Sequence, residues 1–217
     1  MSLDTIYALS SGRGRAGVAV IRLSGQQAWS MAKAMTGAPP INRRAVRRRL
    51  RDPETQETLD DCLCLGFRGP ASFTGEDVVE LHIHGGLAVI TGVLDVLGAQ
   101  PDLRLSEPGE FTRRAFENGR IDLTEAESIG DLIDAETAAQ RRQALRQGDG
   151  ALARRCEEWR GSLVSACAYW EAALDFSDEE LPDELEVQTR QKISTLLGQI
   201  LEKLNDGGVG ERLRDGF

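Results

Sequence analysis

The chain has 217 residues, and 35 acidic against 26 basic side chains give it a formal net charge of −9. A net acidic chain is a poor general binder of nucleic acid, since phosphate contacts need lysine and arginine. The start of the chain lacks the basic and apolar regions of a secretory signal, and the longest apolar run, residues 16–21, is far shorter than the ~20 residues that span a bilayer. The cysteines form no C-x-x-C pair, which indicates a reducing, cytoplasmic compartment.

Charge and turn residues divide the chain in two. Residues 1–120 carry 15 basic and 14 acidic side chains, whereas residues 121–217 carry 11 and 21. Six of the seven prolines precede the same point, so the first part is rich in turns and the second in alanine, leucine and glutamate. This shift in composition predicts a domain boundary after Arg120.

The first part has the patterns of both strands and helices. Asn118 and Gly119 suit a left-handed end to its last helix. Strands mixed with helices predict an α+β chain whose N-terminal domain is mixed α/β. Hydrophobic patterning predicts strands at 18–23, 62–67 and 78–84 and helices at 26–35, 87–97 and 110–118.

The second part has the pattern of long helices. Asp122 and Glu125 have the spacing of a capping box at the start of the first helix. Helical spacing then predicts one apolar stripe within residues 152–174 and another within 193–204, closed by Gly207-Gly208. We expect helices of about 20–25 residues in an antiparallel bundle, with their apolar stripes in the core.

A glycine-rich loop at residues 11–17 has some likeness to a phosphate-binding loop. A P-loop needs the pattern G-x-x-x-x-G-K-[ST] between a strand and a helix, so that the helix N-terminus faces the phosphates. Here the loop precedes a predicted strand, and the pattern occurs nowhere in the 217 residues. We therefore interpret the loop as a tight turn.

Two charged segments have simpler interpretations than RNA binding or catalysis. Residues 43–51 contain six arginines, which suit RNA phosphates but are typical of a solvated face, since five acidic residues follow by position 61. Residues 175–180 place four carboxylates around Phe176, where a loop between helices is favoured over paired-carboxylate catalysis.

The predicted strand at 78–84 places Glu80, His82 and His84 on one face. These groups suit zinc or iron, but two histidines at i and i+2 are weak evidence without a third firm ligand, and we predict no metal. A carboxylate that faces a pocket can instead accept two parallel N–H bonds from an amino-pyrimidine ring. Arg22, the one charge in the strand at 18–23, either pairs with an acidic residue of the domain or serves such a pocket.

Ordered segments of the sequence are more informative than any single residue. The segments are Asp4-Thr5-Ile6, Gly12-Arg13-Gly14, 21–25, 72–80, His84-Gly85-Gly86, 108–116, Asn118-Gly119-Arg120 running to 123, 126–127, 131–135 and 175–180. Together they resemble the tRNA-modification GTPases of the MnmE (TrmE) family over essentially the whole chain. The tail 210–217 resembles the stretch just before the first strand of that family's GTPase domain.

The resemblance implies that residues 1–120 bind a formyl- or methylene-tetrahydrofolate and form a homodimer, with a fold similar to aminomethyltransferase-type folate domains. Residues 121–217 would then be the first half of a helical domain. GTP, Mg²⁺ and K⁺ would bind in a GTPase domain outside this chain. By motif matching the folate contacts fall on Arg22, Glu80 and Arg120, the last of which is usually lysine in the family, and no catalytic residue is predicted here.

The resemblance also implies an activity for the whole protein. With the flavoprotein MnmG, such proteins add an aminomethyl or carboxymethylaminomethyl group to carbon five of the wobble uridine of certain tRNAs. We expect this chain alone to hydrolyse no GTP and to leave apolar surface of the Trp159 and Leu197 stripes exposed where helical partners are missing. Two alternatives are a dimerisation and partner-docking module with weak folate binding and a stand-alone folate-dependent aminomethyltransferase.

Overall fold

The structure is a computed structural model that describes residues 4–12, 14–175 and 183–205. The chain divides into two compact units between Ile121 and Asp122. Arg13, residues 176–180 of the acidic segment, Gly207-Gly208 and the tail 210–217 lie outside the described residues. The elements are β1 (Thr5–Leu9), β2 (Ala16–Ser24), α1 (Ala28–Thr36), β3 (Val46–Arg51), β4 (Thr58–Phe67), β5 (Val78–Gly85), α2 (Leu87–Gly98), β6 (Leu103–Leu105), α3 (Glu110–Glu117), α4 (Leu123–Asp134), α5 (Ala138–Gly148), α6 (Ala151–Asp175) and α7 (Asp183–Leu204).

The first unit is built on one six-stranded sheet with the strand order β3-β4-β5-β2-β1-β6. All neighbours are antiparallel except β1 and β6, which are parallel. Strands and helices in the first unit, followed by helices alone in the described part of the second, confirm the predicted α+β class.

Alternation along the strands divides the sheet into two faces. Ile21 and Leu81 are fully buried beneath α1 and α2, which cover one face. On the opposite face Val18 is 58% exposed and Leu63 is 46% exposed. We call this second surface, which carries Val18, Arg22, Leu63, Glu80 and His82, the open face. The side chains of the open face therefore stand on a sheet whose other side is a packed core.

The arginine-rich segment forms β3, an edge strand that the sequence did not predict. Arg47 and Arg49 both pair with Asp61 on the neighbouring strand. The Arg47 side chain is 77% exposed, which confirms a solvated face. Charged side chains on an edge strand also discourage pairing with the strands of other chains. The run of arginines therefore has a structural explanation.

The first helix of the second unit begins as predicted and ends early. Asp122 accepts a hydrogen bond from the Glu125 backbone N–H, and Glu125 returns one, which confirms the capping box. The expected length of about 20–25 residues is wrong here, because α4 has 12 residues. Ala135 adopts an extended conformation and Thr137 forms a second capping box with Gln140, which begins the unpredicted α5.

Helices α6 and α7 have 25 and 22 residues, within the expected range. They run antiparallel, since Trp159 donates to Gln199 while Arg190, earlier in α7, lies over the ring of Trp170, later in α6. The prediction that the α6 stripe is core is wrong for most of its members. Helix α7 covers only one side of α6, so much of the stripe is left uncovered. Ala166 is buried, whereas the stripe is exposed at Leu152, Cys156, Leu163, Trp170 and Leu174.

The expected apolar surface of these two helices is confirmed at Leu163 and Leu197, which are 48% and 56% exposed. Across the ranges that the structure covers, none of the helices is long and apolar enough to cross a membrane. The cysteines are free, and burial raises the pKa of the Cys62 thiol to about 12.

Candidate functional site

The structure brings two of the three predicted site residues together on the open face. Arg22 on β2 and Glu80 on β5 are directly opposite in the antiparallel register. The Arg22 Nε and Nη2 atoms both donate to Glu80 Oε1, at 3.0 and 2.8 Å. The side chains are 28% and 16% exposed, so the pair is half-buried and still reachable from solvent. Of the two interpretations of Arg22, the structure therefore shows the pairing with an acidic residue.

Two aromatic rings flank the guanidinium of this pair. The Arg22 Cζ atom lies 5.8 Å from the centroid of the Phe73 ring and 5.6 Å from that of Phe111. Both distances fall within the range in which a cation is attracted to a ring face. The site thus combines a carboxylate, a cation and apolar ring surface.

The histidines of β5 have separate partners. His82 Nε2 lies 3.2 Å from Glu80 Oε2. His84 instead contacts Asp60, with its Nδ1 atom 2.7 Å from Asp60 Oδ1. Glu80, His82 and His84 therefore do not converge on one point, and no cluster of potential metal ligands is found among the described residues.

The loop at residues 72–76 carries Phe73 and is anchored on both sides. The Ser24 hydroxyl at the end of β2 lies 2.7 Å from the Thr74 hydroxyl and donates to Glu76 Oε2 at 2.7 Å. From the other side, the Asn118 side-chain amide donates to the Thr74 carbonyl. These bonds fix the loop, and with it the position of the Phe73 ring beside Arg22.

An ionic network centred on the buried Arg114 and Glu110 ties this loop to α3. The Arg114 side chain is 4% exposed and pairs with Asp4, Glu76 and Glu110. Arg104 adds ion pairs to Asp4 and Glu110. We call these five residues the Arg114 network. Because α3 also carries Phe111, the network holds both rings that flank Arg22.

The Arg114 network predicts that the first unit loses part of its free energy of unfolding at low pH. Hydrogen bonds from Arg104 lower the pKa of Glu110 from 4.5 to about 2. The folded value is the lower one, so this contribution is fully present above the unfolded pKa and is lost as the pH falls from about 4.5 to 2. At 1.36 kcal/mol per pH unit, the loss is about 3 kcal/mol.

Urea unfolding at several pH values between 6 and 2.5 measures this loss. Glu110→Gln should flatten the acid slope, whereas Glu117→Gln, at the exposed end of the same helix, should keep it. An unchanged slope in Glu110→Gln would contradict the assignment.

Arg120, the third predicted site residue, lies in a separate cavity. Its stem packs against Gly75, where an added Cβ would lie 3.2 Å from Arg120 Cγ. Gly75 has φ +79°, so both its conformation and its contact favour glycine. The cavity has a volume of about 420 Å³ and is lined by Pro70, Gly75, Glu76, Arg114, Glu117, Asn118 and Arg120.

Several residues of the site had no role in the sequence-based prediction. Phe73, Phe111 and Arg114 were part of the resembling segments, and that was the available signal for them. His82 was considered as a metal ligand and not as a partner of Glu80. The pairing of residues so distant in sequence depends on the sheet register and on the path of the 72–76 loop.

With this geometry established, comparison with known proteins identifies the class. Residues 5–120 match the family described as GTP-binding protein TrmE N-terminus. Residues 123–217 match the family described as MnmE helical domain. The chain therefore belongs to the TrmE (MnmE) family, which confirms the resemblance seen in the sequence.

Curated relatives named tRNA modification GTPase MnmE are similar to the chain throughout. The protein of Parvibaculum lavamentivorans is 56% identical over 99% of this chain and 49% of its own length. That of Rhodospirillum rubrum is 54% identical over 100% of the chain and 50% of its own length. A Methylobacterium relative is 56% identical over 99% and 50%. The chain spans about half the length of these relatives.

Proposed function

We propose that this chain is the folate-binding and dimerising part of a tRNA-modification GTPase. Residues 1–120 bind a formyl- or methylene-tetrahydrofolate, which supplies a one-carbon unit. Residues 121–217 form the first half of the helical domain. The complete protein acts in the cytoplasm as a homodimer with the flavoprotein MnmG, and adds an aminomethyl or carboxymethylaminomethyl group to carbon five of the tRNA wobble uridine. GTP, Mg²⁺ and K⁺ belong to its GTPase domain.

The observation that carries the proposal is the Arg22–Glu80 pair on the open face, beside Phe73 and Phe111. A carboxylate accepts the N–H donors of an amino-pyrimidine edge, and charged hydrogen bonds are the stronger kind. Aromatic rings favour a flat heterocycle. The donor and acceptor set therefore fits a reduced pterin.

Arg120 has a more peripheral part in the proposal. The position usually holds lysine in the family, and arginine keeps the positive charge with a different, planar donor geometry. Its stem packs against Gly75, two residues after Phe73, in the loop that also borders Arg22. We assign Arg120 to the charged end of the folate, where the exact donor geometry matters less than at the pterin.

Calorimetric titration of 5-formyltetrahydrofolate into the 217-residue chain tests the proposal. We expect saturable binding, and Glu80→Gln should weaken it by about 1–3 kcal/mol, or roughly five- to 150-fold, the scale for removing a charged hydrogen-bond acceptor. Glu57→Gln makes the same chemical change at an exposed position and is the matched control. Unchanged binding in both Glu80→Gln and Arg22→Ala would refute the site, and an absence of binding by the wild type would refute the function.

A second candidate function is an assembly module that dimerises and docks MnmG while binding folate weakly. The apolar side chains of Val18 and Leu63, exposed at the open face, favour it. Both functions predict a dimer that captures MnmG, which light scattering at tens of micromolar and a pull-down measure, so the folate titration is what separates them. Dimers that capture MnmG but bind folate poorly would favour the assembly module, and a strictly monomeric chain would count against it.

A further inference from the structure

The hydrogen-bonding capacity of Glu80 is almost filled within the chain itself. A carboxylate has two oxygens and about four acceptor positions. Arg22 takes both positions on Oε1, with bonds of 3.0 and 2.8 Å, and His82 takes one on Oε2 at 3.2 Å. Among the described residues these bonds leave one position on Oε2 for a ligand. A ligand edge with two parallel N–H donors needs two acceptor positions. One of the hydrogen bonds that Glu80 accepts from the chain itself therefore has to break.

The surroundings indicate that a bond from Arg22 to Glu80 breaks when the ligand binds, whereas the bond between His82 and Glu80 remains. The rings of Phe73 and Phe111 continue to stabilise the Arg22 guanidinium when one of its bonds to Glu80 is released. His82 stands in the middle of the sheet, directly opposite Val20 on β2 and Leu63 on β4. Directly opposite residues share a face and contact each other, so apolar neighbours on both sides restrict the imidazole.

We propose that His82 is a positioning residue: its Nε2–H holds Glu80 Oε2, so that the carboxylate keeps its orientation when a ligand with two N–H donors replaces part of the Arg22 interaction. This role rests on the proposed folate function. It assigns the neutral His82 ring the tautomer with the proton on Nε2, because the opposite tautomer would set a lone pair against a carboxylate oxygen.

Titration of 5-formyltetrahydrofolate into four variants tests the role. His82→Phe keeps a flat ring without a donor and should weaken binding at least fivefold. His82→Gln restores an N–H donor of similar reach and should bind within twofold of the wild type. Glu80→Gln is expected to remove the benefit of His82, so that adding His82→Phe to it changes affinity by less than twofold. Thermal unfolding of each variant shows whether the fold is intact.

A ¹⁵N NMR spectrum of the histidine ring gives a readout that needs no ligand. The Nε2 atom of His82 should carry the proton in the neutral ring, and its signal should shift in Glu80→Gln. Wild-type affinity in His82→Phe, equal losses in the Phe and Gln variants, or a proton on Nδ1 would each overturn the positioning role alone. Glu80-independent binding, or no binding by the wild type, would overturn the folate site and the role of His82 with it.

Discussion

Arg114→Ala should cost about 3–5 kcal/mol of the free energy of unfolding, the range measured when one partner of a buried ion pair is removed. Arg114 is almost fully buried and pairs with Asp4, Glu76 and Glu110. Its removal leaves three carboxylates, one of them the buried Glu110, with less compensating charge. Urea unfolding followed by circular dichroism measures the loss.

Arg113 provides a matched control one residue away. Its side chain is 53% exposed and pairs with the exposed Glu107 and Glu117; its contact with the buried Glu110 is 3.6 Å long, against 3.2 Å from Arg114. Exposed ion pairs contribute about 0–1 kcal/mol, so Arg113→Ala should change stability little. Similar losses in the two variants would show that α3 is sensitive to any charge removal, which would contradict the importance of burial.

The Arg114 variant also separates stability from binding. If the protein remains folded at low temperature, its 72–76 loop loses the Arg114–Glu76 contact while Arg22 and Glu80 keep their register. Folate affinity should then fall less than in Glu80→Gln, because the change reaches the site only indirectly, through the positions of Phe73 and Phe111 and the lining of the Arg120 cavity, and leaves the carboxylate of Glu80 in place.

The sequence predicted those elements whose signals are local. The strands that carry Arg22 and Glu80 have clear β patterns, and Asp122 with Glu125 marks the start of α4 through side chain to backbone bonds within four residues. By contrast β1 and β6 have five and three residues, which is too short for a periodic signal. In β3 the arginines hid the alternation, since Leu50 is buried among exposed charges.

The candidate site was only partly predictable for a different reason. Motif matching proposed Arg22 and Glu80, but the bond between them spans 58 positions of sequence and depends on the register of β2 and β5. The Arg114 network likewise joins Asp4 to a helix more than 100 residues later. Periodicity likewise predicted the position of the apolar stripe of α6. It did not specify which neighbouring elements would cover that stripe.

Gly85→Ala should destabilise the sheet that carries the site by about 1–3 kcal/mol, the usual cost of overpacking. Gly85 ends β5 and is the register partner of Ala16 on β2. A Cβ atom at this position would lie 2.6 Å from the Ala16 carbonyl oxygen and 3.0 Å from its carbonyl carbon. Backbone atoms in a paired strand have little freedom to move away, so the two strands would have to separate.

The adjacent glycine predicts a smaller loss of stability and makes the test specific. A Cβ atom on Gly86 would have Val89 Cγ2 as its nearest neighbour, at 3.9 Å, which is ordinary contact. Gly86 is the N-cap of α2, where alanine costs about 1 kcal/mol or less relative to glycine. Urea unfolding of both variants should therefore rank Gly85→Ala well below Gly86→Ala. Equal stability of the two would mean that Ala16, at the start of β2, moves away from Gly85 without cost, and that the pairing of β2 with β5 is not held at this end of the sheet.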